Sequence, residues 1–517
     1  MSLPPFRQEP FTDFTVAANR TAMEQALAEV RARFDTHYPL IIGDQRITTE
    51  ETITSLNPAA PDTSVGRVSA ATAAHVELAI ETATRAFASW RMVPAVERAG
   101  YLVRAAAEMR RRKFELAAWL VCEVSKSWPE ADADVAEAID FCEYYAREML
   151  RLDTPPPLLP MPGETDVLRY IPLGVGVAIP PWNFPLAIMV GLVVAPIVAG
   201  NTMILKPSSA SPVIAAQFME ILADIGLPAG VVSYLPGGGG QIGDLLVDHP
   251  QTRFIVFTGS KEVGLRIFER AAKVHPGQKW LKRTVLEMGG KDTIIVDETA
   301  DIAAAAAGIV ASAFGFQGQK CSACSRVVAV PQVYEPLLGM VAEQARKLPV
   351  GDPAHPEHFM GAVIDARSHA KILGYLDIGA AEGRLVLGGE PLPGPGYFIP
   401  PTIYADIAPD ARLSQEEIFG PVLAFLRAPD FDTALVIANN TEYGLTGGLY
   451  SADPQRLGRA RDELHVGNLY LNRKITGAMV GSHPFGGFNM SGTDSKTGGP
   501  DYLLLFLQAK TIAEKQI

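Results

Sequence analysis

The segment Gly315-Phe316-Gln317-Gly318-Gln319-Lys320-Cys321-Ser322-Ala323-Cys324 sets Cys321 among small and polar residues, directly after Lys320. A cysteine that only fills a core more often sits in an apolar run. The thiolate is the nucleophilic form, and a nearby cation or well-placed backbone N–H groups favour it. Upstream, Val285-Leu286-Glu287-Met288-Gly289-Gly290-Lys291 places a carboxylate after an apolar approach and before a Gly-Gly turn. Such a group at a pocket mouth can act as a general base; a helix cap or a solvated loop carboxylate is the plainer alternative. Earlier still, Ile179-Pro180-Pro181-Trp182-Asn183-Phe184-Pro185 pins one Asn among prolines. Its amide can stabilise a developing oxyanion, although an ordinary Pro-rich turn would also accommodate it. Each segment alone is weak, but together they supply a nucleophile, a base and an oxyanion donor.

The elements that position these residues are bounded by composition. A chain of 517 residues suggests roughly three domains. Its 45 basic and 57 acidic residues give a net charge of −12, which argues against nonspecific nucleic-acid binding. The one basic run, Arg110 to Lys113, reads as a solvated helix face. Four cysteines in so long a chain form no disulfide framework and suit a reducing compartment. Cys122 and Cys142 fall in apolar helical patterns and read as core, and a Cys321-Cys324 redox pair is a minor alternative. The N-terminus shows no basic region followed by an apolar run, so a cytoplasmic location without a signal peptide is expected. Residues 171–205 carry no charge and are long enough to suggest a membrane span, but Pro180, Pro181, Pro185 and Pro196 break the run. It reads instead as strand, proline-rich loop, buried helix and strand, with no membrane role.

Residues 13–35 have helical periodicity, so 1–37 is expected to be an N-terminal helical arm. Strand and turn signals follow from Leu40 to Val68. Three helical patterns then run from Ala71 to Leu150, punctuated by Pro94 and Pro129. Strands alternate with helices from Ile171 to Val285 and again from Thr293 to Val466. The expected fold class is therefore α/β: a doubly wound parallel-sheet cofactor domain (38–150 and 171–286) and a second α/β catalytic domain (287–466). The Pro-rich stretch from Pro155 to Pro162 suggests a surface strand or flap. The glycine run Gly238-Gly239-Gly240-Gln241-Ile242-Gly243 has the form of a dinucleotide fingerprint, but no acidic residue ends a strand about 20 residues on. It reads mainly as a permissive turn.

Taken in order, the three reactive segments resemble those of the aldehyde dehydrogenase superfamily, as does the spacing from Glu287 to Cys321. Leu205-Lys206-Pro207, Phe257-Thr258-Gly259-Ser260 with Gly264, and Glu416-Glu417-Ile418-Phe419-Gly420-Pro421 extend the match. The resemblance runs from Tyr38 to the C-terminus. It implies an aldehyde dehydrogenase-like fold with a small oligomerisation flap (151–170 and 485–517), a homo-oligomer, and NAD as cofactor. Gly259, Ser260 and Gly264 would present a strand-to-helix turn to the pyrophosphate. Lys206 would meet the adenosine ribose, Glu417 the nicotinamide ribose, and Phe419 the nicotinamide ring. Ser209 stands where many members carry a ribose-binding Glu, and its neutrality leaves NADP open. In the implied chemistry Cys321 attacks an aldehyde, Asn183 and the Cys321 N–H hold the oxyanion, and Glu287 activates the hydrolytic water. No metal is implied: the nine histidines show no paired zinc spacing.

The C-terminal third resembles the branch that oxidises L-glutamate γ-semialdehyde, the open form of Δ1-pyrroline-5-carboxylate, to glutamate. Gly477 and Ala478 match a small-residue loop that offers N–H groups to the substrate α-carboxylate, and Ser322 matches an assisting hydroxyl. Glu137 would face the ammonium, and Phe184 and Phe485 would clamp the aliphatic middle. Plain turn and core-packing roles are the alternatives for these residues. Ser482-His483 and Asn489 depart from that branch, which puts fine specificity in question. Three rivals stand beside this reading: a sibling acting on another semialdehyde such as succinic semialdehyde, a thioester-forming branch using coenzyme A, and a family-fold protein without catalysis.

Overall fold

A computed structural model describes residues 3–516. Two seven-stranded sheets dominate it. In the first, β11 (Arg283–Glu287), β10 (Thr252–Thr258), β7 (Val175–Ile179), β8 (Thr202–Leu205) and β9 (Val232–Tyr234) run parallel. The antiparallel hairpin of β2 (Leu40–Ile42) and β3 (Gln45–Ile47) completes one edge. The second sheet takes β15 (Thr402–Ala405), β16 (Val422–Arg427), β13 (Cys324–Ala329), β12 (Asp292–Val296), β18 (Thr446–Tyr450) and β19 (Asn468–Leu471) in parallel, with antiparallel β14 (Arg384–Leu387) at the edge. Central strands such as β8 and β12 are buried throughout, as apolar runs covered by helices on both faces must be. The first sheet ends at Glu287, and the second begins at Asp292 and runs to Leu471, beyond the expected limit at 466.

The uncharged stretch resolves into β7, the proline loop, buried α6 (Ala187–Val198) and β8. Among the described residues no helix is long and apolar enough to cross a membrane. Residues 164–172 (β6) and 507–515 (β21) pair antiparallel into a two-stranded flap that stands apart from both sheets.

Two expectations need correction. The region from Ala71 to Leu150 holds four helices rather than three: α2 (Ala73–Trp90), α3 (Ala95–Arg111), α4 (Lys113–Val124) and α5 (Trp128–Leu152). A non-helical Arg112 separates α3 from α4, and left-handed Ser125 (φ 59°) ends α4. Nor is Arg110–Lys113 solvated throughout: Arg110 and Arg111 are exposed, but Arg112 and Lys113 are covered. Arg112 is buried and pairs with Glu115 at 2.8 Å, Lys113 pairs with Asp132 at 3.1 Å, and Arg110 joins Glu9 and Glu143. Partners distant in sequence, Asp132 for Lys113 and Glu220 for Arg112, add to the local Glu115 in covering the second half of the run. The N-terminal helix, α1 (Ala17–Arg31), is shorter than the periodic stretch and follows an extended strap laid along α5.

One buried carboxylate ties the first domain together. Glu123, at the end of α4, accepts the Val213 and Ile214 N–H groups at 2.7 and 2.8 Å and the Ser55 hydroxyl at 2.9 Å. It thereby satisfies the first turn of α7 (Pro212–Asp224), which has no side-chain cap of its own. Glu123→Ala strands these donors away from water and should cost on the order of 3 kcal/mol, read as a lowered midpoint in thermal denaturation.

Candidate active site

Helix α10 (Ile302–Phe314) ends in a tight turn, Gly315–Gly318, in which three successive residues are left-handed: Phe316 (φ 50°), Gln317 (φ 57°) and Gly318 (φ 68°). For Phe and Gln this conformation is strained and persists only if the surroundings fix it. The Gln317 amide donates to the carbonyls of Ser125 (3.0 Å) and Ala362 (2.9 Å), and Gln319 Oε1 accepts the Ile364 N–H at 2.9 Å. A side chain at 318 would collide with the Gly420 carbonyl. Lys320 and Cys321 follow in a turn closed by the Ala323 N–H on the Lys320 carbonyl (3.0 Å), and β13 starts at Cys324. Asn183, from the loop after β7, donates Nδ2 to the Gln319 carbonyl at 3.1 Å. One of its two amide hydrogens is thus fixed two residues before Cys321, and Asn183 and Cys321 line the same cleft.

Burial pushes the Cys321 thiol well above its ordinary value, and the Asp292, Glu287 and Glu417 carboxylates add to the shift. Lys320 does not offset this. Its ammonium is engaged by Glu130 at 2.7 Å, so the cation expected to favour a thiolate is already paired. Glu287 closes β11 and is buried. Burial raises its carboxyl to about 8, although the Ser495 hydroxyl donates to Oε1 at 2.7 Å and the Lys496 ammonium pulls the other way. Its Oε2 has no hydrogen-bond partner, and a side chain at Gly486 would come within 2.8 Å of Oε1. Glu287 therefore rests against the 486–495 segment and does not line the cleft.

The cleft, of about 970 Å³, lies at the carboxyl ends of β7, β8 and β10, where open α/β sheets bind ligands. Lys206, Ser209, Gly259, Ser260, Glu417 and Phe419 line it. Lys206 is only 6% exposed and has no carboxylate partner. Burial alone depresses its ammonium to about 8, and its one hydrogen bond is a long one, 3.5 Å to the Pro207 carbonyl, so the site holds a buried cation with no anion beside it. Ser260 caps α9 (Lys261–Ala271), leaving first-turn N–H groups at the cleft. Glu417 accepts the Gly290 N–H at 3.0 Å, and any side chain at Gly289 would come within 2.5 Å of its carboxylate. Left-handed Phe419 (φ 60°) packs edge-on against Trp182 at 5.5 Å. A buried cation, a helix N-terminus and a carboxylate arranged along one long cleft fit a dinucleotide. Gly264 does not line it: a side chain there would run into Met288, so this glycine serves helix-to-strand packing. Gly239, Gly240 and Gly243, read as a mere turn, do line it, in a short π-helical turn entering α8 (Asp244–Asp248).

The residues matched to the substrate lie outside that cleft. Phe184 meets Phe316 edge-on at 6.5 Å, and both rings lie over the Lys126 ammonium, at 3.8 and 4.4 Å. Glu137, on α5, is raised to about 8 by burial and by Asp134 and Asp140, against the pull of Lys126. Ser322 is buried, and its carbonyl accepts the Thr446 hydroxyl at 3.5 Å. Phe485 bridges to Thr497 with bonds of 2.9 and 2.8 Å. Gly477 adopts φ +77° in a loop with no regular structure, and Ala478 follows it.

A model of the aldehyde dehydrogenase family matches residues 46–512. The chain belongs to the aldehyde dehydrogenase family. A 1-pyrroline-5-carboxylate dehydrogenase from Geobacillus sp. (strain WCH70) is 59% identical over 510 residues, 99% of each chain. The crystal structure of 1-pyrroline-5-carboxylate dehydrogenase from Thermus with bound NAD superposes with a TM-score of 0.98 at 53% identity, covering all of both chains. Proline utilization A from Bdellovibrio bacteriovorus matches equally well in shape (TM-score 0.98, 45% identity), but this chain covers 54% of it.

Three polar residues of this aldehyde dehydrogenase family member escaped the reading of its sequence. Lys126 is fully buried and faces Asp134 at 3.2 Å; the short polar break Ser125-Lys126-Ser127 between apolar helices is its only local sign. Glu130 captures Lys320, and Ser495 holds Glu287; each partner is remote in sequence. Of the four cysteines, Cys122, Cys142 and Cys324 are buried and only Cys321 reaches the cleft. The native chain should therefore take up iodoacetamide at Cys321 alone, faster as pH rises because the thiol is held protonated, and the other three should react only after denaturation. Peptide mapping of alkylated protein reads both outcomes.

Proposed function

We propose that the chain oxidises L-glutamate γ-semialdehyde, the open form of Δ1-pyrroline-5-carboxylate, to L-glutamate, using NAD. This is the second step of proline catabolism. The observation that carries the reaction class is the meeting of Cys321, Asn183 and Glu417 along one cleft that also holds the unpaired Lys206. Full-length similarity to 1-pyrroline-5-carboxylate dehydrogenases supports the substrate, and the Thermus relative with bound NAD supports the cofactor. Ser209 at the cleft adds no carboxylate to repel a 2′-phosphate, so some use of NADP is compatible with it.

In this reading Cys321 gives up its proton to water in the cleft, and its sulfur bonds to the aldehyde carbon as the carbonyl π pair passes to the oxygen. The free Asn183 amide hydrogen and the Cys321 N–H stabilise the oxygen as it gains charge. NAD, when bound, would supply the hydride acceptor for this carbon. Gly259, Ser260 and the α9 N-terminus would hold its pyrophosphate, Lys206 and Glu417 its two riboses, with Phe419 beside the nicotinamide. The thioester left on Cys321 is opened by water. Glu287, once ionised and turned away from Ser495, takes the proton of that water, and the carbon–sulfur bond breaks to release the carboxylic acid. Ser322, Gly477 and Ala478 would hold the α-carboxylate, Glu137 the ammonium side, and Phe184 and Phe485 the chain between.

The chain suits a homo-oligomer in which the β6–β21 flap and the exposed Leu158, Leu159 and Met161 before it meet a second copy. Four unpaired thiols suit a reducing cytoplasm.

Purified protein should form NADH with Δ1-pyrroline-5-carboxylate far better than with succinic semialdehyde or propanal, and Cys321→Ala should abolish turnover. Preference for another aldehyde would remove the substrate assignment and keep the mechanism. Glu287→Gln should lower steady-state kcat by about 10²- to 10⁴-fold while still giving a first burst of NADH, with the thioester detectable by intact mass. A carboxyl raised to about 8 is protonated below that pH and cannot accept a proton, so hydrolysis should rise as pH increases through about 8. A kcat profile flat across that range would exclude Glu287 as the base.

A further inference from the structure

Residues 3–13 form no helix or strand, yet they are fastened at several points along α5. Asp140 accepts the Glu9 N–H at 2.7 Å, and Asp132 accepts the Thr12 N–H at 2.7 Å and its hydroxyl at 2.5 Å. Arg147 donates to the Pro4 carbonyl at 2.8 Å, and Lys113 donates to that of Pro10 at 2.9 Å. On a neighbouring face of the same helix stands Glu137, the residue proposed for the ammonium side of the substrate.

From this anchored strap two side chains reach the loop that carries Gly477 and Ala478. The Gln8 amide donates to the Val480 carbonyl at 3.3 Å and to the Ser482 hydroxyl at 2.9 Å. The Phe6 ring packs edge-on against Tyr144 of α5 at 5.3 Å. Gly481, at φ +76°, lies against both rings: a side chain there would come within 3.2 Å of Phe6 and 3.1 Å of Tyr144. The loop is pinned at its start, where the Ile475 N–H donates to the Ser312 hydroxyl at 3.1 Å and Arg473 donates to the Thr476 and Gly477 carbonyls at 3.3 and 3.5 Å, and Val480 is buried in the first core; beyond Ala478 its own backbone bonds are mostly local. The Ser482 and His483 N–H groups turn back to the Met479 carbonyl, and the Gly481 N–H reaches Gly498. A loop that must present N–H groups in fixed directions needs outside bracing, because small misplacements weaken each charge-assisted hydrogen bond.

We propose that the N-terminal strap, through Gln8 and Phe6, is a specificity-determining brace that fixes the Gly477–Ala478 loop relative to α5, and so sets the spacing at which an amino-acid-like aldehyde is gripped by its carboxylate and its ammonium. The inference rests on the function proposed above. Gln8 and Phe6 are positioning residues: neither lines the cofactor cleft, and neither acts on the aldehyde carbon.

The test is steady-state kinetics of Gln8→Ala and of Phe6→Ala/Gln8→Ala with two substrates, Δ1-pyrroline-5-carboxylate and propanal, which has neither carboxylate nor ammonium. Inhibition by L-glutamate reports binding without chemistry. Two hydrogen bonds and one aromatic contact are removed, so KM for the pyrroline substrate and Ki for glutamate should rise about threefold for the single variant and about tenfold or more for the double. The kcat values and the propanal kinetics should stay within about twofold of the parent. Unchanged KM and Ki, or equal losses on both substrates, would overturn the brace. A parent enzyme that oxidises propanal but not the pyrroline substrate would instead remove the function on which it rests.

Discussion

The site depends on a backbone corner that would not hold its shape alone. Phe316, Gln317 and Gly318 are all left-handed, and Ser125, which ends α4, is left-handed too. The two corners are tied together: Gln317 donates to the Ser125 carbonyl, and the Ser125 hydroxyl accepts the Ala362 N–H at 2.9 Å. A side chain at Gly361 would strike Ser125, so a third segment is pressed into the same knot. Each strained residue costs about 1–3 kcal/mol, offset by the buried hydrogen bonds of Gln317 and Gln319. The result is a rigid turn that delivers Cys321 beside Asn183. Lys126 adds to it from the Ser125 corner, since its ammonium underlies both the Phe316 and Phe184 rings.

The same burial that fixes the geometry sets the protonation state. Cys321 and Glu287 are both pushed toward their neutral forms by desolvation, and neighbouring carboxylates reinforce the effect at Cys321. In this resting arrangement the thiol and the carboxyl both hold their protons. Lys320 is absorbed by Glu130, and Lys496 is bonded to the Gly467 and Gly486 carbonyls. Under the proposed mechanism these groups must therefore lose their protons before they act, and Glu287 keeps one carboxylate oxygen unpartnered.

Glu287 also marks where the parts of the chain meet. It ends the first sheet, and its backbone bridges to Gly492 while the Met288 N–H donates to the Ser491 carbonyl at 2.7 Å. The segment from Phe485 to Thr497 thus covers Glu287, the proposed base, bridges back on itself between Phe485 and Thr497, and leads on to the flap strand β21. The proposed cofactor residues come from strand ends of the first sheet and from the 417–419 loop before β16, the proposed nucleophile from the approach to β13, and the cover from the C-terminus. No one element could place all three.

The sequence alone determined the features that are local or that lie in order along the chain. Alternating buried strands and helices specified two α/β sheets, because a strand covered on both faces is mostly apolar along its length. The windows around Asn183, Glu287 and Cys321 were legible only as an ordered set, because each alone had a plain structural alternative and the match to the family lies in their order and spacing. What tertiary structure decided was every pairing between distant segments. Lys320 read as a cation for the thiol until Glu130 took it. Gly264 read as a phosphate contact until Met288 filled the space beside it, and Gly239 read as a turn until it appeared on the cleft wall. Arg112 read as solvated until Glu115 and Glu220 covered it. Residue type records what a group can do, whereas its partner, its burial and hence its proton depend on which remote segments the fold brings within a few ångströms.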